Sequence, residues 1–100
     1  MAIYFEPIRQ AKAVNVSVGI TAVQINTPTN TLPGFKLILI YNNSASTKAY
    51  VGSDSAVTIA NGYPLLAGKE RAFGFENAPL LDIYMIADAA ATDIRVMFLK

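Results

Sequence analysis

Between residues 14 and 25 the chain alternates. Val14, Val16, Val18 and Ile20 share one parity, with Asn15, Ser17, Gly19 and Thr21 set between them. Successive side chains on a β-strand point to opposite faces, so a period of two buries one face and wets the other. The pattern runs on as Val23 and Ile25 against Gln24 and Asn26. Gly19 marks either a bulge or bend in one long strand, or a break between two.

The rest of the chain reads the same way. Residues 35–41 are apolar on both faces apart from Lys36, as expected of a central strand covered on both sides. Residues 50–51, 56–59 and 71–75 are shorter candidates, and 81–87 and 94–99 are two strong β-runs. Turn chemistry separates them. Residues 27–34 form the longest loop, in which Pro33-Gly34 has the geometry of a type II turn. Asn42-Asn43-Ser44, Gly52-Ser53-Asp54, Asn61-Gly62, Ala67-Gly68 and Asn77-Ala78-Pro79 follow. The Ala-rich stretch 87–91 is too short for a helix of its own and reads as the link between the last two strands. The expectation is an all-β, single-domain antiparallel β-sandwich or jelly roll of about eight strands. It spans residues 11–100, with residues 1–10 as an N-terminal arm or edge strand.

Composition narrows the function. Charged residues make up 15% of the chain, against roughly 25% in an average soluble domain. A small domain exposes much of its surface, so this one exposes uncharged residues, and part of that surface is expected to be an interface. The net charge is +1 with its signs scattered, which gives no basic stripe for a nucleic acid. No apolar run approaches the ~18 residues of a membrane helix, and the start shows no signal-peptide pattern, so synthesis in the cytoplasm is expected.

His, Cys and Trp are absent. The usual nucleophile–base pairs and zinc sites cannot be built, and no enzyme, catalytic residue, cofactor or metal is expected. Of the carboxylates, Asp88 and Asp93 flank one loop and could help hold a hard cation. A solvated hairpin end explains them more simply. Asp54, and the Lys69-Glu70-Arg71 cluster, read as turns. Most aromatics read as core, although Tyr63 in a loop could stack on a glycan. The arm is the candidate partner-binding element. Ile3, Tyr4, Phe5 and Ile8 make it apolar, and Pro7 interrupts regular pairing. It either edges its own domain or reaches a neighbouring subunit.

A group of residues carries a family resemblance. Tyr50-Val51-Gly52-Ser53, Val57, Asn61-Gly62-Tyr63-Pro64-Leu65 and Ala67-Gly68 are followed by Leu81-Asp82-Ile83-Tyr84, Ile86-Ala87-Asp88 and Asp93-Ile94-Arg95-Val96. Together they resemble small structural proteins of tailed bacteriophages over about half the chain. One departure is Ala89-Ala90-Ala91, where the pattern leads one to expect Gly or Ser in the turn. The resemblance implies a virion structural protein, best a capsid cement or decoration protein at the capsid surface. Its partners would be the major capsid protein or other virion proteins, and further copies of itself in a homo-oligomer. A tail, neck or fibre-base module is the alternative within the virion, and a glycan-binding β-sandwich module the alternative outside that class.

Overall fold

In a computed structural model describing residues 10–74 and 82–100, the alternating segments become eight strands. They are β1 (Ala11–Val18), β2 (Val23–Gln24), β3 (Leu37–Asn42), β4 (Ala49–Gly52), β5 (Tyr63–Leu65), β6 (Glu70–Gly74), β7 (Tyr84–Ala87) and β8 (Thr92–Leu99). A first sheet has the order β1-β8-β3-β6 and a second the order β2-β7-β4-β5. Every pairing is antiparallel.

The order has a simple origin. Strands 1 and 8, 2 and 7, 3 and 6, and 4 and 5 all pair, as though the chain were one long hairpin. Rolling that hairpin adds the pairings of β3 with β8 and of β4 with β7. Each successive strand then lies in the opposite sheet, except that β4 and β5 share one as the tip of the hairpin. The result is an eight-stranded β-sandwich wound as a jelly roll.

The core is filled by one parity of each strand. Ile38 and Ile40 of β3, Ile94, Val96 and Phe98 of β8, and Met85 and Ala87 of β7 are buried together with Ala49 and Leu65. Phe35 meets Phe98 edge-on, with centroids 4.9 Å apart and rings at 68°, the arrangement that aromatic quadrupoles favour.

Four expectations are decided or changed, the first in favour of a break at Gly19. The alternation of residues 14–25 is two strands in different sheets, and Gly19 is at the corner, where its carbonyl accepts a 2.8 Å bond from Ala87 N–H. Ile20, in phase with the valines before it, lies beyond that corner and is 70% exposed. Residues 56–59 form turns, not a strand. Only Val57 of that run is buried, plugged between two glycines. A Cβ on Gly52 would sit 2.5 Å from Val57 Cβ, and one on Gly62 would sit 2.6 Å from Tyr50 Cβ. Residues 63–65, which sequence reasoning had not marked as a strand, form β5.

The fourth change concerns residues 35–41. Phe35 closes the expected type II turn, donating to Leu32 O at 3.1 Å with Gly34 at φ 77°. β3 then starts at Leu37 and is central within its sheet, but its two faces are unequal. Ile38, Ile40 and Asn42 are buried, whereas Leu37 and Leu39 are half-buried and Tyr41 is exposed. Neighbouring strands flank β3 on both sides, and the second sheet covers only one of its faces.

Among the described residues β6 runs to Gly74, and β7 begins at Tyr84. Phe75 and Leu81 lie outside the described residues. So do Ile3, Tyr4, Phe5 and Ile8 of the proposed arm. Gln10, the first described residue, extends the β1–β8 ladder by exchanging backbone bonds of 3.2 and 2.9 Å with Lys100.

Candidate functional site

Because β3 sends Ile38 and Ile40 inward, Leu37, Leu39 and Tyr41 face outward. The register extends each of them into a row across the first sheet. Ala11, Leu99, Leu37 and Gly74 form one row, and Ala13, Met97, Leu39 and Ala72 the next. Neither row carries a charge. The third row, Asn15, Arg95, Tyr41 and Glu70, is polar throughout. A groove of about 360 Å³ opens where apolar and polar rows meet. Ala13, Leu39 and Met97 lie on its apolar side, and Asn15, Tyr41, Glu70 and Arg95 on its polar side.

One polar group is fixed by its neighbours. Arg95 Nε donates to both carboxylate oxygens of Asp93, at 3.0 and 3.1 Å, and Nη2 donates to Oδ2 at 2.9 Å. Asp93 also accepts from Asn43 Nδ2 at 2.9 Å. The bonds from Arg95 and then Asn43 hold the Asp93 carboxyl below its ordinary range, and Asp93 in turn pushes the Arg95 guanidinium up. Among the described residues, the side chains of Asn15, Tyr41 and Glu70 make no hydrogen bond.

The sequence candidates fall apart spatially. Asp88 Oδ1 accepts from Lys48 N–H at 3.0 Å and so ties the β3–β4 loop, while Asp93 serves Arg95. The two carboxylates serve separate hydrogen-bond partners. Asp54 Oδ1 accepts from Ala56 N–H at 2.9 Å and belongs to a turn. Among the described residues no group of three or more potential metal ligands assembles. Arg71, expected in a solvated turn, instead places its guanidinium carbon 4.9 Å from the centroid of the Tyr63 ring. That cation–π contact joins the β5 edge of one sheet to the β6 edge of the other and covers one ring face of Tyr63.

One end of the sandwich has a different character. The β1–β2 corner and the β3–β4, β5–β6 and β7–β8 connections gather there, since Val18 pairs with Thr92 and Ala49 with both Ala87 and Leu65. Ile20 and Leu66, 70% and 47% exposed, project at its opposite corners. Ser44, Ala45, Ser46, Ala89 and Ala90 on these connections are small and uncharged, and Lys48, Lys69 and Asp88 are the exposed charges beside them.

Buried Asn42 makes this end rigid. Its Nδ2 donates to Thr47 O and Leu65 O, both at 2.9 Å. Its Oδ1 accepts from Ser44 N–H at 3.1 Å and Ser44 Oγ at 2.7 Å. Thr47 Oγ1 lies 3.1 Å from the buried Thr92 hydroxyl.

Sequence reasoning did not single out the groove or this end. The groove left one readable signal: Leu37 and Leu39 form a second apolar face on β3, matched by Met97 and Leu99 on β8. No protein-family model matches this chain, and no curated protein matches it.

Proposed function

We propose that the chain is a virion structural protein, a capsid cement or decoration protein that docks end-on against the shell. The observation that supports this reading is the exposed pair Ile20 and Leu66 on an end whose connections are built largely of small residues, with Lys48, Lys69 and Asp88 as exposed charges among them. Fully burying an aliphatic side chain contributes about 1.5–3 kcal/mol. Two per copy, repeated over a symmetric lattice, add to a large stabilisation of whichever state of the lattice binds them.

The Leu66 connection is held by Asn42 through Leu65 O and Gly68 N–H, the Ile20 corner by the Ala87 N–H bond to Gly19 O, and the β3–β4 and β7–β8 connections by the Asn43–Asp93 and Lys48–Asp88 bonds. Docking therefore orders little that was loose, which keeps the entropic penalty of association small. The shortage of charge fits a lasting interface better than a transient one. The partners in this reading are the major capsid protein or other virion proteins and further copies of the chain.

The experiment is quantitative mass spectrometry of purified particles, with the parent chain and an Ile20→Asp, Leu66→Asp double variant. The reading expects parent protein at a fixed ratio to the shell protein and the folded double variant depleted from particles. Absence of the parent from particles overturns the virion assignment. A few copies per particle move the protein from the shell to the tail or neck. Full retention of the double variant rules out the end-on surface.

A further inference from the structure

The groove lies on the outer face of the first sheet, its polar row adjoining the connections of the proposed docking end, and the inference it carries does not rest on the shell reading. We propose that this groove binds one neutral pyranose ring of a glycan. Four features of the site select that ligand class, and each excludes a competitor.

Charge comes first. Arg95 and Glu70 bring one charge of each sign, and Arg95 already faces the Asp93 carboxylate through a bidentate pair. An anion would find the guanidinium neutralised and Glu70 repelling it. A metal ion would find a single carboxylate where hard cations take six or more oxygens. A neutral ligand meets neither obstacle.

The second feature is the division of the lining. Ala13, Leu39 and Met97 offer an apolar patch, with Met97 38% exposed. A purely apolar ligand would settle there, but it would also strip water from Asn15, Tyr41 and Glu70 without replacing their hydrogen bonds. A pyranose has an apolar face of C–H groups bordered by hydroxyls and so satisfies both halves at once.

The third feature is the mixture of donors and acceptors. Glu70 needs a donor, Arg95 needs an acceptor, and the Asn15 amide and Tyr41 hydroxyl take either. A hydroxyl supplies both roles. Tyr41 also stands 38% exposed in the polar row beside the patch, placed to pack against a sugar ring. Tyr63, the tyrosine favoured by sequence reasoning, has one ring face taken by Arg71.

Peptides are the remaining rival, since they too combine apolar and hydrogen-bonding groups. The groove lies on the face of the sheet, centred on β8 and β3, whose backbone groups are engaged on both sides, while the edge strands β1 and β6 contribute the side chains of Ala13, Asn15 and Glu70 at its margins. Extended peptides are typically captured at an open strand edge, where backbone groups are available. At about 360 Å³ the groove is at the small end of the ~300–1,000 Å³ range of ligand clefts, a size suited to a ring more than to a chain.

The test is an amide- and methyl-detected NMR titration of the full chain with four neutral probes: cellotetraose, xylotetraose, maltotetraose and chitotetraose. With so few contacts, the expected dissociation constant is on the order of 1 mM. Shifts should concentrate on Ala13, Leu39, Tyr41 and Met97 for at least one probe. Tyr41→Ala should weaken that binding about tenfold, and Tyr63→Ala should leave it unchanged. Retained spectral dispersion separates lost binding from lost fold, and Tyr41→Phe, which removes only the hydroxyl, provides a second variant.

No shifts with any probe up to about 10 mM overturn the proposal. So do shifts centred on Tyr63, or a response to tetra-alanine in place of the sugars. Particle association of Tyr41→Ala is measured in parallel: its retention alongside lost sugar binding shows that the two surfaces are independent.

Discussion

Replacing Asn42 with alanine should destabilise the domain by about 4 kcal/mol. The side chain is fully buried and makes four hydrogen bonds, two donated and two accepted. Leu65 O is buried and loses its bond to the side chain, a loss of about 1–3 kcal/mol. Ser44 Oγ has one proton between Asn42 Oδ1 and Thr47 O and can turn it to Thr47 O at 2.9 Å when Asn42 is truncated, so the loss at Thr47 O is nearer ~1 kcal/mol. The Ser44 amide and hydroxyl lie closer to solvent and lose about 0.5–1 kcal/mol each. The sum is about 3–6 kcal/mol, against a total stability of about 5–15 kcal/mol for a domain. At roughly 4–8 °C per kcal/mol, the melting midpoint should drop by about 20 °C or more.

Asn42→Asp sharpens the test because the shape barely changes. The oxygen that replaces Nδ2 would face the carbonyls of Thr47 and Leu65, and both burial and those carbonyls favour the protonated acid. A carboxyl raised in the folded state contributes least stability once it is ionised. Asn42→Asp should therefore be most stable in acid and lose stability as pH rises through and beyond the ordinary carboxylate range. Urea unfolding followed by far-UV circular dichroism and tyrosine fluorescence, which is undisturbed because the chain has no Trp, measures both effects. An Asn42→Ala variant within about 1 kcal/mol of the parent would refute the reasoning, as would an Asn42→Asp variant whose stability tracked the parent at every pH.

Two further outcomes are expected. Ala91 holds φ at 59° in the β7–β8 connection, a region that opposes a Cβ by roughly 1–2 kcal/mol. Ala91→Gly should relieve this, less the greater freedom of glycine when unfolded, and raise stability by about 0.5–1 kcal/mol; an unchanged or lower melting midpoint counts against the strain. For Asp93, the Arg95 and Asn43 bonds hold the carboxyl below its ordinary value. Its contribution is present above the unfolded carboxylate value, near pH 3.9, and is lost as pH falls through the folded one. The stability gap between parent and Asp93→Asn should accordingly narrow in acid, and a gap that widened there would contradict the pairing.

How much of this was legible depended on range. The type II turn at Pro33-Gly34 and the all-β class follow from local chemistry, in which Gly34 reaches a positive φ cheaply and alternating valines match the pleat. The absence of Gly or Ser at residues 89–91 also carried information, since Ala91 is the non-glycine residue with positive φ among those described. Val57 was misleading. One buried side chain in an apolar run reads as a strand, yet Gly52 and Gly62 leave room for a loop to tuck it inward. Asn42-Asn43-Ser44 was readable as a turn, and Ser44 is a local partner of Asn42, but the burial of Asn42 and its bonds to Thr47 O and Leu65 O, five and twenty-three residues away, were not.

From the sequence alone come the strand material, most of the turns, the single domain and the lack of His and Cys chemistry. These are properties of neighbouring residues and of side-chain inventory. The tertiary structure decided which strands pair, and with that everything about surfaces. Rolling the hairpin aligned Ala13, Met97 and Leu39 beside Asn15, Arg95, Tyr41 and Glu70 from four strands, and gathered four connections at one end with Ile20 and Leu66 outermost. Period-two alternation says that a strand has two faces. Only the packing of one sheet on the other determines which face stays open to a partner.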